Sequence, residues 1–325
     1  MTGFAIGSLQ GGAEEQAALR IDGRAYRLSE LARAARVDLP ATTLGLFDRW
    51  QTTFPVLEEL ARSLRDLDVR AVEGPSAALA QPVRPRKVFC VGANYADHLA
   101  EMGDPAQRQP GRAPFFFLKP ATTALCGPGD TVRIPRDCGF FDWEVEVVAV
   151  FGAGGADIPP DQAMNHVAGY TLGIDFTARD QFIDPGLLFK FNFSLGKCQD
   201  DTAPIGPWIV PSAYLDGRDL DFSLDLNGTR KQSSNTRHML YGLDEQIAEI
   251  SRRIRIEPGD ILFTGSPAGV GFPRGESVSD GDQVTARATG IGEFTVTARA
   301  PYFSGADHCQ GSSTMRPVAL PASSS

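Results

Sequence analysis

The stretch Asp142-Trp143-Glu144-Val145-Glu146-Val147-Val148-Ala149-Val150 decides how this chain is read. In an extended strand successive side chains alternate faces, so Asp142, Glu144 and Glu146 share one side. The run that follows, Val147 to Val150, has the apolar character of a strand entering a core. Two carboxylates on an inward face repel each other and lose hydration. They are therefore protonated, paired with cations or bound to a metal. Oxygen ligands at this spacing suit a hard divalent ion such as Mg²⁺, Mn²⁺ or Ca²⁺. The other reading is a wet sheet face on which the Glu pair meets solvent. The stretch alone does not choose between them.

Working outward, the region from Lys87 carries many short strand patterns separated by turns. They fall at Val88–Val91, Phe115–Leu118, Val132–Ile134, Glu144–Val150, Ala168–Gly173, Phe222–Leu226, Ile261–Phe263, Gln283–Ala288 and Phe294–Ala298. Asn227-Gly228 is a hairpin turn signal, and Gly290 with Gly292 marks another. Helical patterns are few. The clearest spans Gly242 to Ile254, with Leu243, Ile247, Ile250 and Ile254 on one face, and a shorter one starts at Pro159. No βαβ alternation is present, so the expectation is an α+β chain, mostly β.

Residues 1 to 80 read as a small leading α/β domain and linker. They contain a hairpin about Asp22-Gly23 and helical patterns at Ser29 to Ala35 and Thr53 to Leu67, and a proline-rich stretch from Glu73 to Pro85 runs across their end. Residues 81 to 300 form the main body. The Ser-, Ala- and Pro-rich stretch from 301 to 325 reads as a disordered tail.

Composition excludes several classes. A net charge of -9 argues against nucleic acid or an anionic membrane as partner. No apolar run approaches the roughly 18 residues of a membrane span, and the first residues lack a signal-peptide pattern. The cysteines (Cys90, Cys126, Cys138, Cys198 and Cys309) are odd in number and contain no C-x-x-C pair. Neither a disulfide framework nor a zinc site is indicated, and a reduced, cytoplasmic compartment is expected.

Several residues carry chemistry. His98 and Glu101 stand one helical turn apart, where the carboxylate fixes the imidazole as a general base requires, or where a surface histidine has a casual neighbour. Asp175 ends the apolar run Gly169 to Ile174 and offers either a metal ligand or an N-cap. Lys197, between apolar residues and a loop, is a catalytic or a surface lysine. The loop Thr264-Gly265-Ser266-Pro267-Ala268-Gly269-Val270-Gly271 presents Thr264 and backbone amides to a carboxylate. It lacks the Gly-Lys-Ser/Thr of a P-loop, which argues against nucleotide binding.

In order, these pieces resemble the fumarylacetoacetate hydrolase superfamily. The resemblance runs from about Lys87 to Ala298. It is carried by Gly92-Ala93-Asn94-Tyr95 with His98 and Glu101, Phe117-Leu118-Lys119-Pro120, and Asp142-Trp143-Glu144-Val145-Glu146. It continues through Gly169-Tyr170 to Asp175, Arg179-Asp180, Gly196-Lys197, Pro204-Ile205-Gly206-Pro207 and the Thr264–Gly271 loop. It implies a mixed β-roll catalytic domain, usually in a homodimer, with a divalent metal (Mg²⁺, Mn²⁺ or Ca²⁺) on Glu144, Glu146 and Asp175. It implies a His98–Glu101 dyad on a lid that includes residues 102 to 112, with Lys197 as the family lysine and Thr264 contacting substrate. Arg179, Gln181 and Gly265 complete the expected substrate end.

Two positions depart from the pattern. Val91 stands where fumarylacetoacetate hydrolases proper carry a further Asp ligand, and Phe182 stands where the broader branch often has Gln. Gln181, one position earlier, is a substitute through a shifted turn. The implied activity is hydrolysis of a C–C bond in an acylpyruvate-like 1,3-dicarbonyl acid. The alternatives are 2-hydroxyhepta-2,4-diene-1,7-dioate isomerisation, oxaloacetate decarboxylation and a non-catalytic metal-binding scaffold.

Overall fold

The structure, a computed structural model, describes residues 3–10, 16–103, 112–182 and 191–300. Most of the expected lid (104–111) and the whole expected tail (301–325) lie outside the described residues.

The opening stretch forms the middle of the fold. The strand Val145–Phe151 is buried at every position. It pairs antiparallel with Val167–Ile174 on one side and Ile261–Phe263 on the other. Side chains that are covered on both faces give a continuous apolar run instead of an alternating one. The period of two still decides which core each residue enters. Val145, Val147, Ala149 and Phe151 join one cluster and Val148 and Val150 the other.

Along the large sheet the strands follow the order Arg24–Arg27, Gln16–Ile21, Phe4–Leu9, Ala203–Pro211, Val167–Ile174, Val145–Phe151, Ile261–Phe263, Val88–Gly92 and Phe115–Lys119. A second sheet has the order Thr229–Asn235, Asp221–Leu226, Gln283–Ala288, Gly292–Arg299 and Thr131–Arg133. The first core lies between the two sheets, where Leu224, Val284 and Val296 meet Val147 and Leu172. The second lies on the opposite face of the large sheet, under the helices Leu28–Ala35, Thr43–Asp48 and Trp50–Arg62. The architecture is thus a mixture of helices and strands in which strands predominate. No described helix is long and apolar enough to cross a membrane.

The leading segment is tied to the body by hydrogen bonds. Its hairpin turns at Asp22 and Gly23, both with positive φ (49° and 80°), as a two-residue type I′ turn requires. Phe4–Leu9 then pairs with Ala203–Pro211, with Ile6 opposite Ile209.

Candidate active site

The ladder register builds the carboxylate cluster. Val145 faces Ile174 and Glu146 faces Gly173, so the next residue outward on each strand, Glu144 and Asp175, meets across the sheet end. The Asp175 N–H donates to the Glu144 carbonyl at 2.8 Å. Asp142 does not continue this strand, as the alternating pattern suggests it would. Phe141–Asp142 belongs to a separate two-stranded ladder with Thr177–Ala178.

Glu144, Glu146 and Asp175 are buried, and each presents an oxygen within 4.8 Å of the others. Lys197 Nζ bridges Glu144 Oε2 (2.5 Å) and Asp175 Oδ2 (2.7 Å). The Arg179 guanidinium donates to Glu144 Oε1 (2.5 Å) and to Asp142 Oδ2 (2.9 Å). Lys119 Nζ lies 2.6 Å from Asp175 Oδ1 but directs its hydrogen bond to the Lys197 carbonyl. Asp175 Oδ1 is therefore buried, with the Lys119 ammonium as its ion-pair partner. Glu146 receives the Gly265 N–H at 2.5 Å. Among the described residues no side-chain cation pairs with it.

The electrostatics follow from this arrangement. Burial opposes the charge on Glu144, but Lys197 and then Arg179 outweigh it and hold the carboxyl well below the usual range. Glu146 goes the other way. Burial, then Asp175 and Glu144, push it well above its ordinary value. Burial also works against Lys197 and Arg179, yet their carboxylate partners keep both firmly charged. The cluster thus holds one more carboxylate (Asp142, Glu144, Glu146, Asp175) than cation (Lys119, Arg179, Lys197). An all-oxygen donor set in which one buried carboxylate, Glu146, has no paired cation fits a hard divalent cation.

His98 sits on the short helix Ala96–Glu101, and its Nδ1 is 2.9 Å from Glu101 Oε1. Glu101 also accepts the Gly269 N–H at 2.9 and 3.0 Å and, more weakly, the Val270 N–H. Burial would raise Glu101, but His98 and these amides hold it below its ordinary value. The dyad and the carboxylate cluster are joined through one loop, whose Gly269 N–H serves Glu101 and whose Gly265 N–H serves Glu146. The loop after Ile261–Phe263 therefore serves three carboxylates with backbone N–H groups. Gly265 serves Glu146, Gly269 serves Glu101, and Gly271 (2.6 Å) with Phe272 (3.2 Å) serves Asp142. Asn94 fixes the loop's start by donating to the Thr264 carbonyl at 2.8 Å.

Not every expected residue is brought to the cluster. The Thr264 hydroxyl donates to the Val147 carbonyl (2.8 Å), inside the sheet. Gln181 donates to the Arg136 carbonyl (2.7 Å) and accepts from Gln199 (3.0 Å), away from the carboxylates. Arg179 is occupied by Asp142 and Glu144. Lys119 received no role from sequence reasoning. The available signal was a lysine on the same strand face as Phe115 and Phe117, too near the core to be solvated.

Comparison with known proteins identifies the family. Residues 87–299 match the family model "Fumarylacetoacetate (FAA) hydrolase C-terminal". The mitochondrial oxaloacetate tautomerase FAHD2B of Bos taurus is 36% identical over 258 residues, which span 78% of this chain and 78% of that protein. The fumarylpyruvate hydrolase of Pseudomonas aeruginosa, solved in complex with Mn²⁺ and pyruvate, is 35% identical. It superposes with a TM-score of 0.61 over 68% of this chain and 92% of that one. A 2-hydroxyhepta-2,4-diene-1,7-dioate isomerase of Mycobacterium marinum is 25% identical, with a TM-score of 0.67 over 93% of this chain and 100% of that one. With two thirds of its length matched by the family model and a site of the kind described, the chain belongs to the fumarylacetoacetate hydrolase family.

Proposed function

We propose that this protein is a divalent-metal-dependent hydrolase that cleaves the C–C bond of an acylpyruvate-like 1,3-dicarbonyl acid. The observation that carries the reading is a buried carboxylate triad, in which Glu146 has no paired cation, in one site with an anchored imidazole–carboxylate dyad. Glu144, Glu146 and Asp175 would hold the ion, Mg²⁺ or Mn²⁺, which supplies Lewis acidity toward the 2-oxo acid end of the substrate.

With Nδ1 committed to Glu101, His98 takes the proton of a water at Nε2, a contribution on the order of 10² to 10⁴-fold. The oxygen of that water bonds to the distal carbonyl carbon. The C–C bond to the methylene breaks, and its electron pair passes to the pyruvate fragment as an enolate. The enolate carbon then takes a proton, so water and acylpyruvate become a carboxylic acid and pyruvate. Lys197, held charged by Glu144 and Asp175, stabilises the developing negative charge. Arg179 keeps Glu144 in place. Within this reading the working assembly is a homodimer.

A second reading is a proton shift on an enolisable oxo acid, favoured by the likeness to an oxaloacetate tautomerase over most of both chains. The two are separated by incubating the protein with Mg²⁺ or Mn²⁺ and acetylpyruvate, fumarylpyruvate, oxaloacetate or 2-hydroxyhepta-2,4-diene-1,7-dioate. Pyruvate release from acetylpyruvate or fumarylpyruvate that stops on chelation supports hydrolysis. Turnover confined to proton shifts overturns it.

A further inference from the structure

Phe115–Lys119 is the outer strand of the large sheet. Alternation places Phe115, Phe117 and Lys119 on one face, and Lys119 on that face reaches Asp175. The two phenylalanines therefore extend the site side of the strand outward. The Phe117 ring centroid is 5.7 Å from Lys197 Nζ. Phe193, on the same short helix as Lys197, lies 5.5 Å from Phe117 and 5.3 Å from Phe115. Phe182, on the short helix that begins with Arg179, meets Phe193 edge-on at 4.6 Å, and Phe191 follows at 6.0 Å from Phe182. Five rings thus run from the two lysines of the carboxylate cluster to the surface. Phe115 and Phe191 remain 48% and 57% exposed. A contiguous apolar surface of this kind marks a binding surface more often than a chance exposure.

We infer that this wall receives the distal group of the substrate, and that the group is apolar and planar, an aryl ketone, and not a second carboxylate. The inference rests on the acylpyruvate reading for the chelating end. A second carboxylate at the far end needs a cation. Among the described residues, the two lysines that adjoin the wall, Lys119 and Lys197, are both turned inward, to Glu144, Asp175 and the Lys197 carbonyl. A carboxylate pressed against phenyl rings loses hydration without gaining a partner. An aryl group gains offset or edge-to-face contact.

Binding and turnover are measured separately, by calorimetry with the Mg²⁺-loaded protein and by pyruvate release, using benzoylpyruvate and fumarylpyruvate. The expected result is a preference for benzoylpyruvate of about tenfold or more in Kd. Phe191→Arg and Phe193→Ala should each shrink that ratio. The arginine variant keeps the test open if the alanine variant fails to fold, because Phe191 is mostly exposed. Equal or tighter binding of fumarylpyruvate, or no Mg²⁺-dependent binding of either compound, overturns the inference. So does an unchanged ratio in Phe191→Arg accompanied by dissociation of an oligomer, which would make the wall an interface between copies. Tight benzoylpyruvate binding without pyruvate release from any acylpyruvate supports the wall and overturns hydrolysis instead.

Discussion

At Glu146 the excess charge of the cluster becomes measurable. Its carboxyl is raised above the ordinary value of 4.5 by burial and by Asp175 and Glu144. Between that ordinary value and the raised one, the folded metal-free protein holds a proton that the unfolded chain releases. Metal-free stability therefore falls as pH rises through this window. Under the proposed metal assignment, a divalent ion would bind the ionised carboxylate and displace that proton, so its stabilising effect would grow over the same range, by at most about 1.4 kcal/mol per pH unit. The melting-temperature increase with saturating Mg²⁺ should be larger near pH 8 than near pH 6, and Glu146→Gln should lose most of it. An increment that shrinks with rising pH would contradict the assignment. His98→Ala separates water activation from metal–enolate chemistry. It should lower acylpyruvate hydrolysis by about 10² to 10⁴-fold and lower oxaloacetate decarboxylation far less. Equal losses in both reactions would remove His98 from water activation.

The Thr264–Gly271 loop and the turn that follows it join the dyad to the carboxylates, and Gly269 is a tight point in it. Its φ is 115°, and a Cβ there would sit 2.2 Å from the Lys231 carbonyl. Its carbonyl also accepts the Trp143 indole N–H at 3.0 Å. Gly269→Ala should cost about 1 to 3 kcal/mol through backbone strain alone. It should also reduce hydrolysis, because the amide that anchors Glu101 must move. An alanine variant with unchanged melting temperature and rate would show that the loop does not hold the dyad. The sequence made the loop legible as tight backbone offering amides, since glycine and proline punctuate it. Its partners were not legible, because Glu101 lies 168 residues away. Most strands of the body were readable from apolar runs and turn signals. Ala203–Pro211 was not, because Pro204, Pro207 and Pro211 read as breakers, yet it lies inside the large sheet. Thr229–Asn235 was missed for a different reason, its polarity, which suits its place at the outer edge of the second sheet.

At the scale of the molecule, the leading segment covers one face of the body. Ile6, Leu19, Leu46, Phe47 and Leu57 share a core with Val148, Val150, Ile205, Ile209 and Ile261, and all of them are fully buried. The backbone at Gly7 approaches so closely that a Cβ there would lie 2.6 Å from the Trp208 ring, and the Arg20 guanidinium stands 5.9 Å from the same ring. A chain restricted to 87–299, the part that matches the family model, would expose these body residues and leave Ala203–Pro211 without its Phe4–Leu9 partner. Each such side chain returned to water costs about 1.5 to 3 kcal/mol. Exposing several of them offsets the roughly 5 to 15 kcal/mol that holds a domain folded. The fragment should therefore bind a hydrophobic dye, aggregate and lack a cooperative melt, whereas co-expression with residues 1–86 should restore solubility. A monodisperse fragment that melts cooperatively and keeps Mg²⁺-dependent turnover would show instead that the body is self-sufficient. The unpaired strand would then have to be tolerated as an ordinary edge, despite three buried isoleucines facing the departed segment.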